Sequence, residues 1–215
     1  MPVDDPGGAP VPALPRTPPR VAAIVLAAGR SSRMAPRNKL LIAGAGGRAM
    51  VTRVVDQALG SAARPVLVVL GHQAAAVEHA LAGRAVRFVH AADHGSGLSA
   101  SLRAGLAALP YDVDAALVCL GDMPLVTART LDRLIGAYDP GGGRTLVLPT
   151  CRGERGNPML WGRRWFSDMA AITGDAGARS LLAGRAGHAV EVEVGKDAVL
   201  RDFDTPDTLA GLEDG

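Results

Sequence analysis

The chain has 215 residues, of which 48% are hydrophobic, and a formal net charge of +2. Its length and composition predict one globular domain with a substantial core, and nothing approaches the roughly 18 consecutive apolar residues of a membrane span. The weak net charge and the scarcity of aromatic residues, 3% of the chain, argue against a nucleic-acid groove.

Two cysteines, Cys119 in an apolar run and Cys151 in a polar one, indicate a reducing compartment and no disulfide framework. The first twenty residues are rich in proline and contain no apolar segment typical of a signal peptide. We therefore expect a cytoplasmic protein with no nucleic-acid or membrane partner. Residues 1–20 are predicted to be a disordered extension and residues 21–215 a single domain.

Predicted strands and helices alternate after this extension. An apolar strand begins at Val21 and breaks at Gly29. It is followed by a helix over 49–59, a strand over 66–70, a helix over 73–81, a strand over 86–89, a helix over 98–109, a strand over 115–120, a helix that Thr127 caps, and a strand over 145–148. This alternation predicts an α/β fold with a mostly parallel sheet covered on both faces. Shorter elements follow Cys151, among them an extended segment over 190–194 and a helix after Pro206, and they predict antiparallel additions at one side of the sheet.

A glycine-containing basic loop follows the first strand and is the most informative segment of the chain. It has neither the dinucleotide-binding nor the P-loop spacing, but an apolar strand followed by glycine, serines and fixed positive charge suits a polyphosphate. Its Lys39 is one of only two lysines among 23 basic residues, and a compact ammonium suits a point contact to a phosphoryl oxygen. The loop alone fits a nucleoside triphosphate site and a solvated basic surface equally well.

An acidic turn follows the predicted strand over 115–120. Gly121 and Pro124 flank Asp122, which would fix the direction of its carboxylate. The turn and the basic loop lie at the same carboxyl edge of the sheet, although about ninety residues separate them. Mg²⁺ bridging Asp122 and a phosphate would account for an anion opposite a phosphate loop, with Asp202 or Asp204 as a second ligand. The alternatives are that Asp122 caps the turn and that the later aspartates begin a helix.

Six short sequence blocks, spread over most of the chain, resemble the motifs of one family. They are LAAGRSSRM at 26–34, NKLL at 38–41, GDMPLV at 121–126, RGNP at 155–158, GDAGAR at 174–179 and DFDTPDTL at 202–209. Together they resemble the MobA-like nucleotidyltransferases, and within them the molybdenum cofactor cytidylyltransferases of the MocA type. The resemblance implies a Rossmann-like three-layer fold and a Mg²⁺-dependent enzyme. Its reaction would be transfer of CMP from CTP to molybdopterin, with release of pyrophosphate.

The resemblance also implies roles for individual residues. Leu26, Ala27, Ala28 and Gly29 would line the nucleotide, and Gly97 and Ser101 would touch its base or ribose. Arg33 and Lys39 would neutralise the phosphates, while Asp122 with Asp204 or Asp202 would hold Mg²⁺. Arg155, Asn157 and Asp175 would contact the pterin or its phosphate. Since the acceptor phosphate is itself the attacking group, no protein nucleophile is required.

Cytidine is preferred over guanosine because cytidylyl members tend to have LAAG where guanylyl members have LAGG. The Ala28 methyl would narrow the pocket against a purine, an effect worth roughly 1–3 kcal/mol.

Other interpretations remain open at this stage. One is guanylyl transfer from GTP, or transfer to another phosphorylated acceptor, and another is redox chemistry on a heterocycle. A third is a non-catalytic chaperone that carries finished cofactor to a molybdenum hydroxylase, prompted by Ala35 and Pro36 where the family usually has glycine. Transient contact with such a hydroxylase, or with its maturation chaperone, is expected in either case. The histidines show no zinc spacing, and Trp161 and Trp165 are expected to pack a second, smaller cluster.

Overall fold

The computed structural model describes residues 18–31, 34, 37–175 and 177–203. An eight-stranded sheet forms its centre. The strands are β1 Val21–Ala27, β2 Val66–Leu70, β3 Arg87–His90, β4 Ala115–Leu120, β5 Leu146–Cys151, β6 Glu154–Arg155, β7 Met159–Gly162 and β8 Ala189–Glu193. The α-helices are α1 Met50–Gly60, α2 Ala74–Ala80, α3 Leu98–Ala107, α4 Ala128–Ala137 and α5 Phe166–Ala170.

The first half of the chain builds the parallel part of the sheet. Strands β3, β2, β1 and β4 lie side by side in that order, each parallel to its neighbour. Strand β7 then runs antiparallel between β4 and β5, β6 is antiparallel to β5, and β8 is parallel to β5. The predicted antiparallel additions are thus confirmed, but one of them lies inside the sheet and not at its margin. The parallel pairing of β8 differs from the expectation.

Alternation along β1 divides the core between two faces of the sheet. Its residues 21, 23, 25 and 27 pack into one cluster, with Val51 of α1 and Leu134 of α4. Residues 24, 26 and 28 pack into the other, with Leu102 of α3 and Met169 of α5. Successive side chains of a strand point to opposite faces, so both faces must be covered by helices. The expected three-layer α/β architecture is confirmed.

Several local predictions are also confirmed. Strands β2 and β4 have the predicted bounds, and the Thr127 hydroxyl accepts a hydrogen bond from the Thr130 amide at the start of α4. Trp161 and Trp165 lie together in the second cluster. The predicted helix after Pro206 lies outside the described residues. No helix in the described ranges combines the length and the apolar character that a membrane crossing requires.

Candidate functional site

A cavity of about 570 Å³ opens at the carboxyl edge of the parallel strands. Four segments surround it: the loop after β1, the turn after β4, the segment that joins β3 to α3 together with the start of α3, and the segment after α5. Its walls are formed by Leu26, Ala28, Gly29, Arg30, Ser31, Lys39, Leu40, His94, Gly95, Gly97, Leu98, Ser101, Leu120, Gly121, Asp122 and Asp175. This is the position at which open α/β sheets bind their ligands.

Short-range hydrogen bonds hold Lys39 in place after the basic loop. The Asn38 side chain caps a 3₁₀ turn over Lys39–Leu41 by accepting from the Leu40 amide at 3.1 Å. The Ser31 hydroxyl accepts from the Lys39 amide at 3.2 Å and lies 3.4 Å from Asn38 Oδ1. Ser31 has a positive φ of 51°, which is uncommon for a residue with a side chain and is often found at functional sites. These contacts direct the Lys39 ammonium toward the turn after β4.

Lys39 and Asp122 form an ion pair at the wall of the cavity. The Lys39 Nζ lies 2.5 Å from Asp122 Oδ2, and the two side chains are 15% and 18% exposed. The Gly121 amide donates to the Leu26 carbonyl at 3.0 Å, which anchors the turn to the end of β1. Residues that are 83 positions apart in the chain therefore meet over one site, as the strand topology predicts.

The second oxygen of Asp122 is suited to a ligand. Asp122 Oδ1 is buried and has no hydrogen-bond partner among the described residues. The Phe203 amide donates to the Asp122 carbonyl at 3.2 Å, which brings the segment carrying the exposed Asp202 against the turn. No group of three histidine, cysteine or acidic side chains with metal-binding geometry occurs within the described ranges. Within the described ranges, a hard cation held by Asp122 and one further carboxylate, completed by phosphate oxygens and water, fits this arrangement.

The start of α3 forms a further wall of the main cavity. Gly97 has φ 101° and ψ 179°, and a Cβ at this position would lie 2.5 Å from the Gly174 carbonyl. The Ser99 amide donates to the same carbonyl at 3.2 Å. This close approach brings Asp175 to the cavity, with Ser101 one helical turn further along α3.

A second cavity of about 210 Å³ shares walls with the first. The two cavities are adjacent, because Leu26, Leu98 and Leu120 border both. The second is largely apolar, with Asn157 and Arg179 as its polar members. Trp161 borders it as well, and its Nε1 is buried without a hydrogen-bond partner among the described residues. An unpaired buried donor beside a cavity can be satisfied by a polar atom of a ligand.

The structure brings together most of the residues predicted from the sequence. Those that border the main cavity are Leu26, Ala28, Gly29, Lys39, Gly97, Ser101, Asp122 and Asp175. Asn157 borders the second cavity. Arg33 and Asp204 lie outside the described residues, as do Ala35 and Pro36.

Three predicted residues within the described ranges border neither cavity, and one of them is the exposed Asp202. Ala27 is 1% exposed and packs on the other face of the sheet, because alternation along β1 separates its side chain from those of Leu26 and Ala28. Arg155 lies on the surface, where its Nη2 is 2.6 Å from Glu191 Oε1.

Sequence reasoning missed several wall residues, among them Arg30, Ser31 and His94. Arg30 and Ser31 follow Gly29 directly, so their position in the basic loop was a usable signal. No pattern indicates His94, because its role in the wall depends on how the segment after β3 packs against the end of β2.

Cysteine chemistry has no place in this site. Burial raises the pKa of the Cys119 thiol to about 12, which keeps it protonated and unreactive at neutral pH. Its side chain packs in the core on the face away from Leu26 and Ala28.

Comparisons with known proteins agree with this geometry. Residues 23–191 match the family model described as the MobA-like NTP transferase domain. The bifunctional protein GlmU of Kineococcus radiotolerans is 39% identical over 155 residues, which are 71% of this chain and 31% of that protein. The chain therefore spans about a third of the length of the curated relatives it matches.

Solved structures of two other proteins are similar to this one over most of the chain. Rv0371c from Mycobacterium tuberculosis H37Rv has a TM-score of 0.80 and 28% identity, over 93% of this chain and 100% of that one. A nucleotidyl transferase from Methanothermobacter thermautotroptrophicus, Mth528, has a TM-score of 0.79 and 28% identity, over 91% of this chain and 96% of that one. A further structure of Rv0371c is a complex with manganese, with a TM-score of 0.77 and 26% identity over 91% of this chain and 99% of that one.

Proposed function

Since the chain belongs to the MobA-like NTP transferase family, we propose that it transfers CMP from CTP to the terminal phosphate of molybdopterin and releases pyrophosphate. The observation that carries this proposal is the contact between Lys39 and Asp122 at the wall of one cavity. A cation for phosphate oxygens and an anion for a metal ion lie together there, beside the Ala28 and Gly29 backbone.

Charge balance explains why both groups are needed. The cavity wall carries the cations Arg30 and Lys39 and the carboxylates Asp122 and Asp175, so its charges nearly cancel. A triphosphate bears several negative charges, and these residues alone do not neutralise them. A divalent cation at Asp122 supplies the missing positive charge, which is how proteins usually hold nucleoside triphosphates.

Mg²⁺ is the proposed cation, held by Asp122 together with Asp202 or Asp204. The unpaired, buried Asp122 Oδ1 supports this assignment, and the manganese complex of Rv0371c is consistent with divalent-metal use in a related protein. When bound, the ion neutralises charge that develops on the phosphates during transfer. Lys39 contributes a second fixed charge, and the loop that holds it keeps that charge in position before the substrates arrive.

The second cavity is the proposed acceptor site. It adjoins the main cavity along a shared wall. An acceptor phosphate at that wall would approach the α-phosphorus of the nucleotide in line with the leaving pyrophosphate. The apolar walls and the unpaired Trp161 Nε1 suit a flat heterocycle with polar edges. Asn157 borders this cavity and is proposed to contact the pterin, and Asp175 is proposed to contact the acceptor from the wall of the main cavity. The acceptor phosphate is the nucleophile, and the protein positions the two substrates.

A different phosphorylated acceptor is the second candidate. The observation that favours it is the 39% identity to a GlmU protein over 155 residues, which leaves the acceptor open within the family. The same cavities and the same pair of charges would serve that reaction.

Pyrophosphate release tests the proposal directly. The purified full chain is incubated with Mg²⁺, molybdopterin and either CTP or GTP, and pyrophosphate and the dinucleotide product are measured. Release with CTP and molybdopterin supports the proposal, whereas release only with another acceptor supports the second candidate.

Lys39→Ala and Asp122→Ala should each abolish release. Lys196→Ala, which removes the other lysine of the chain, is the matched control and should leave it unchanged. If Lys39→Ala and Asp122→Ala still support cofactor maturation in cells, the chain acts as a carrier and not as a transferase.

A further inference from the structure

We infer that His94 reads the nucleobase of the donor nucleotide by accepting a hydrogen bond from an exocyclic amino group. This inference rests on the proposed function, because it assumes that the main cavity binds a nucleoside triphosphate. It assigns base selection to a residue that no sequence motif indicates.

The two ends of the main cavity lie over different strands of the sheet. Lys39 and Asp122 lie after β1 and β4, whereas His94 lies over the end of β2. A Cβ added to Gly71, the residue after β2, would lie 2.6 Å from His94 Cβ and 2.8 Å from the Ala28 methyl. Strands β2 and β4 flank β1 on opposite sides, which separates their ends by roughly 10 Å. An extended nucleoside triphosphate spans such a distance, so phosphates at the ion pair place the base beside His94 and Ala28.

The hydrogen bond of the imidazole fixes its polarity. His94 Nδ1 lies 3.1 Å from the Ala91 carbonyl, and a carbonyl oxygen only accepts hydrogen bonds. Nδ1 therefore carries the proton, and Nε2 of the neutral ring is an acceptor. Because the ring borders the cavity, Nε2 is the ring atom available to a base. It matches the 4-amino group of cytosine and opposes the 4-oxo group of uracil.

Neighbouring groups hold the His94 segment in position. The His94 amide donates to the Ala91 carbonyl at 3.2 Å, so backbone and ring bond to the same oxygen. The Arg30 guanidinium packs on the next residue, where a Cβ added to Gly95 would lie 2.8 Å from Arg30 Nη2. A ring fixed by its own hydrogen bond, on a backbone segment that is itself held, can discriminate between bases because it is in place before the nucleotide binds.

Calorimetric titration of the full chain with CTP and with UTP, both with Mg²⁺, tests this inference. These two nucleotides differ at the pyrimidine edge that His94 would contact. The wild type should bind CTP more tightly than UTP. His94→Phe, which keeps a flat ring without nitrogen, should lower the CTP to UTP affinity ratio about tenfold, as expected for one matched hydrogen bond. His94→Gln restores an acceptor and should retain much of the preference, which also controls for misfolding of the phenylalanine variant.

His90→Phe is the matched control, since the His90 Nε2 is paired with Glu78 outside the cavity. It should leave the ratio unchanged. A ratio that is the same in His94→Phe and wild type, with both triphosphates still bound, overturns the role of His94 and leaves the proposed function intact. Tighter binding of UTP than CTP by the wild type also overturns it. Failure of the wild type to bind either triphosphate overturns the inference together with the proposed function.

Discussion

Replacing Lys39 by methionine tests whether the ion pair at the cavity wall contributes to stability as well as to function. Methionine keeps most of the length of the side chain and removes its charge. Asp122 then loses the ammonium 2.5 Å from Oδ2, while its Oδ1 already has no partner among the described residues. The variant therefore leaves a largely buried carboxylate without compensation.

The exposure of the pair sets the size of the effect. Breaking a fully buried pair costs about 3–5 kcal/mol, whereas an exposed pair contributes about 0–1 kcal/mol. Side chains that are 15% and 18% exposed lie between these limits, so Lys39→Met should lower the free energy of unfolding by about 2 kcal/mol. For a chain of this size, the corresponding fall in Tm is about 4–8 °C. The double variant Lys39→Met/Asp122→Asn removes both charges and should regain most of this loss.

Denaturant unfolding followed by circular dichroism measures the stability of the three proteins, and pyrophosphate release measures their activity. Stability should recover in the double variant, whereas activity should remain absent in both, because catalysis needs the charges themselves. An unfolding midpoint of Lys39→Met equal to that of the wild type would refute the assigned energy of the pair. Activity in the double variant would refute the assigned chemistry.

Three other predictions concern the glycine at the start of α3, a core thiol and the metal ion. Gly97→Ala should cost about 2–3 kcal/mol and weaken nucleotide binding, because its backbone region is nearly restricted to glycine and its Cβ would meet the Gly174 carbonyl. Gly83→Ala is the control, because Gly83 also has a positive φ, +77°, but a Cβ there would have nothing within 4 Å; it should cost about 1–2 kcal/mol and leave nucleotide binding unchanged. Chemical denaturation measures the stability of both variants and calorimetry their nucleotide binding. Equal behaviour of the two variants would contradict the prediction. Burial raises the pKa of Cys119 from 9.0 to about 12, so the folded state holds the thiol proton more tightly than the unfolded state, and stability from this group is lost as pH rises through that range. The unfolding free energy of the wild type minus that of Cys119→Ala should therefore fall by about 1.4 kcal/mol per pH unit between pH 9 and about 12. A difference that stays constant over this range would contradict the burial effect. Chelation of divalent ions should abolish pyrophosphate release without lowering the Tm of the nucleotide-free protein, since no three-ligand cluster occurs in the described ranges; a large fall in Tm would indicate a structural metal instead.

Local sequence determined the parallel half of the sheet. The runs that form β2 and β4 are apolar throughout and bounded by proline, aspartate or glycine, so their bounds follow from composition. The Thr127 cap is equally local, because it depends on residues three positions apart. The shared carboxyl edge of the strands then predicted that the basic loop and the acidic turn would meet, and Lys39 and Asp122 are in contact.

Only the tertiary structure decided which strands pair in the second half of the chain and which side chains complete the cavity. Strand β7 has four residues and lies inside the sheet because Trp161 pairs with Ala116 on one side and with Leu146 on the other. The walls formed by His94 and Arg30 depend on packing against Gly71 and Gly95, which no spacing in the sequence records. Local patterns report on a residue's own backbone and burial, whereas pairing and packing depend on partners brought together by the whole fold.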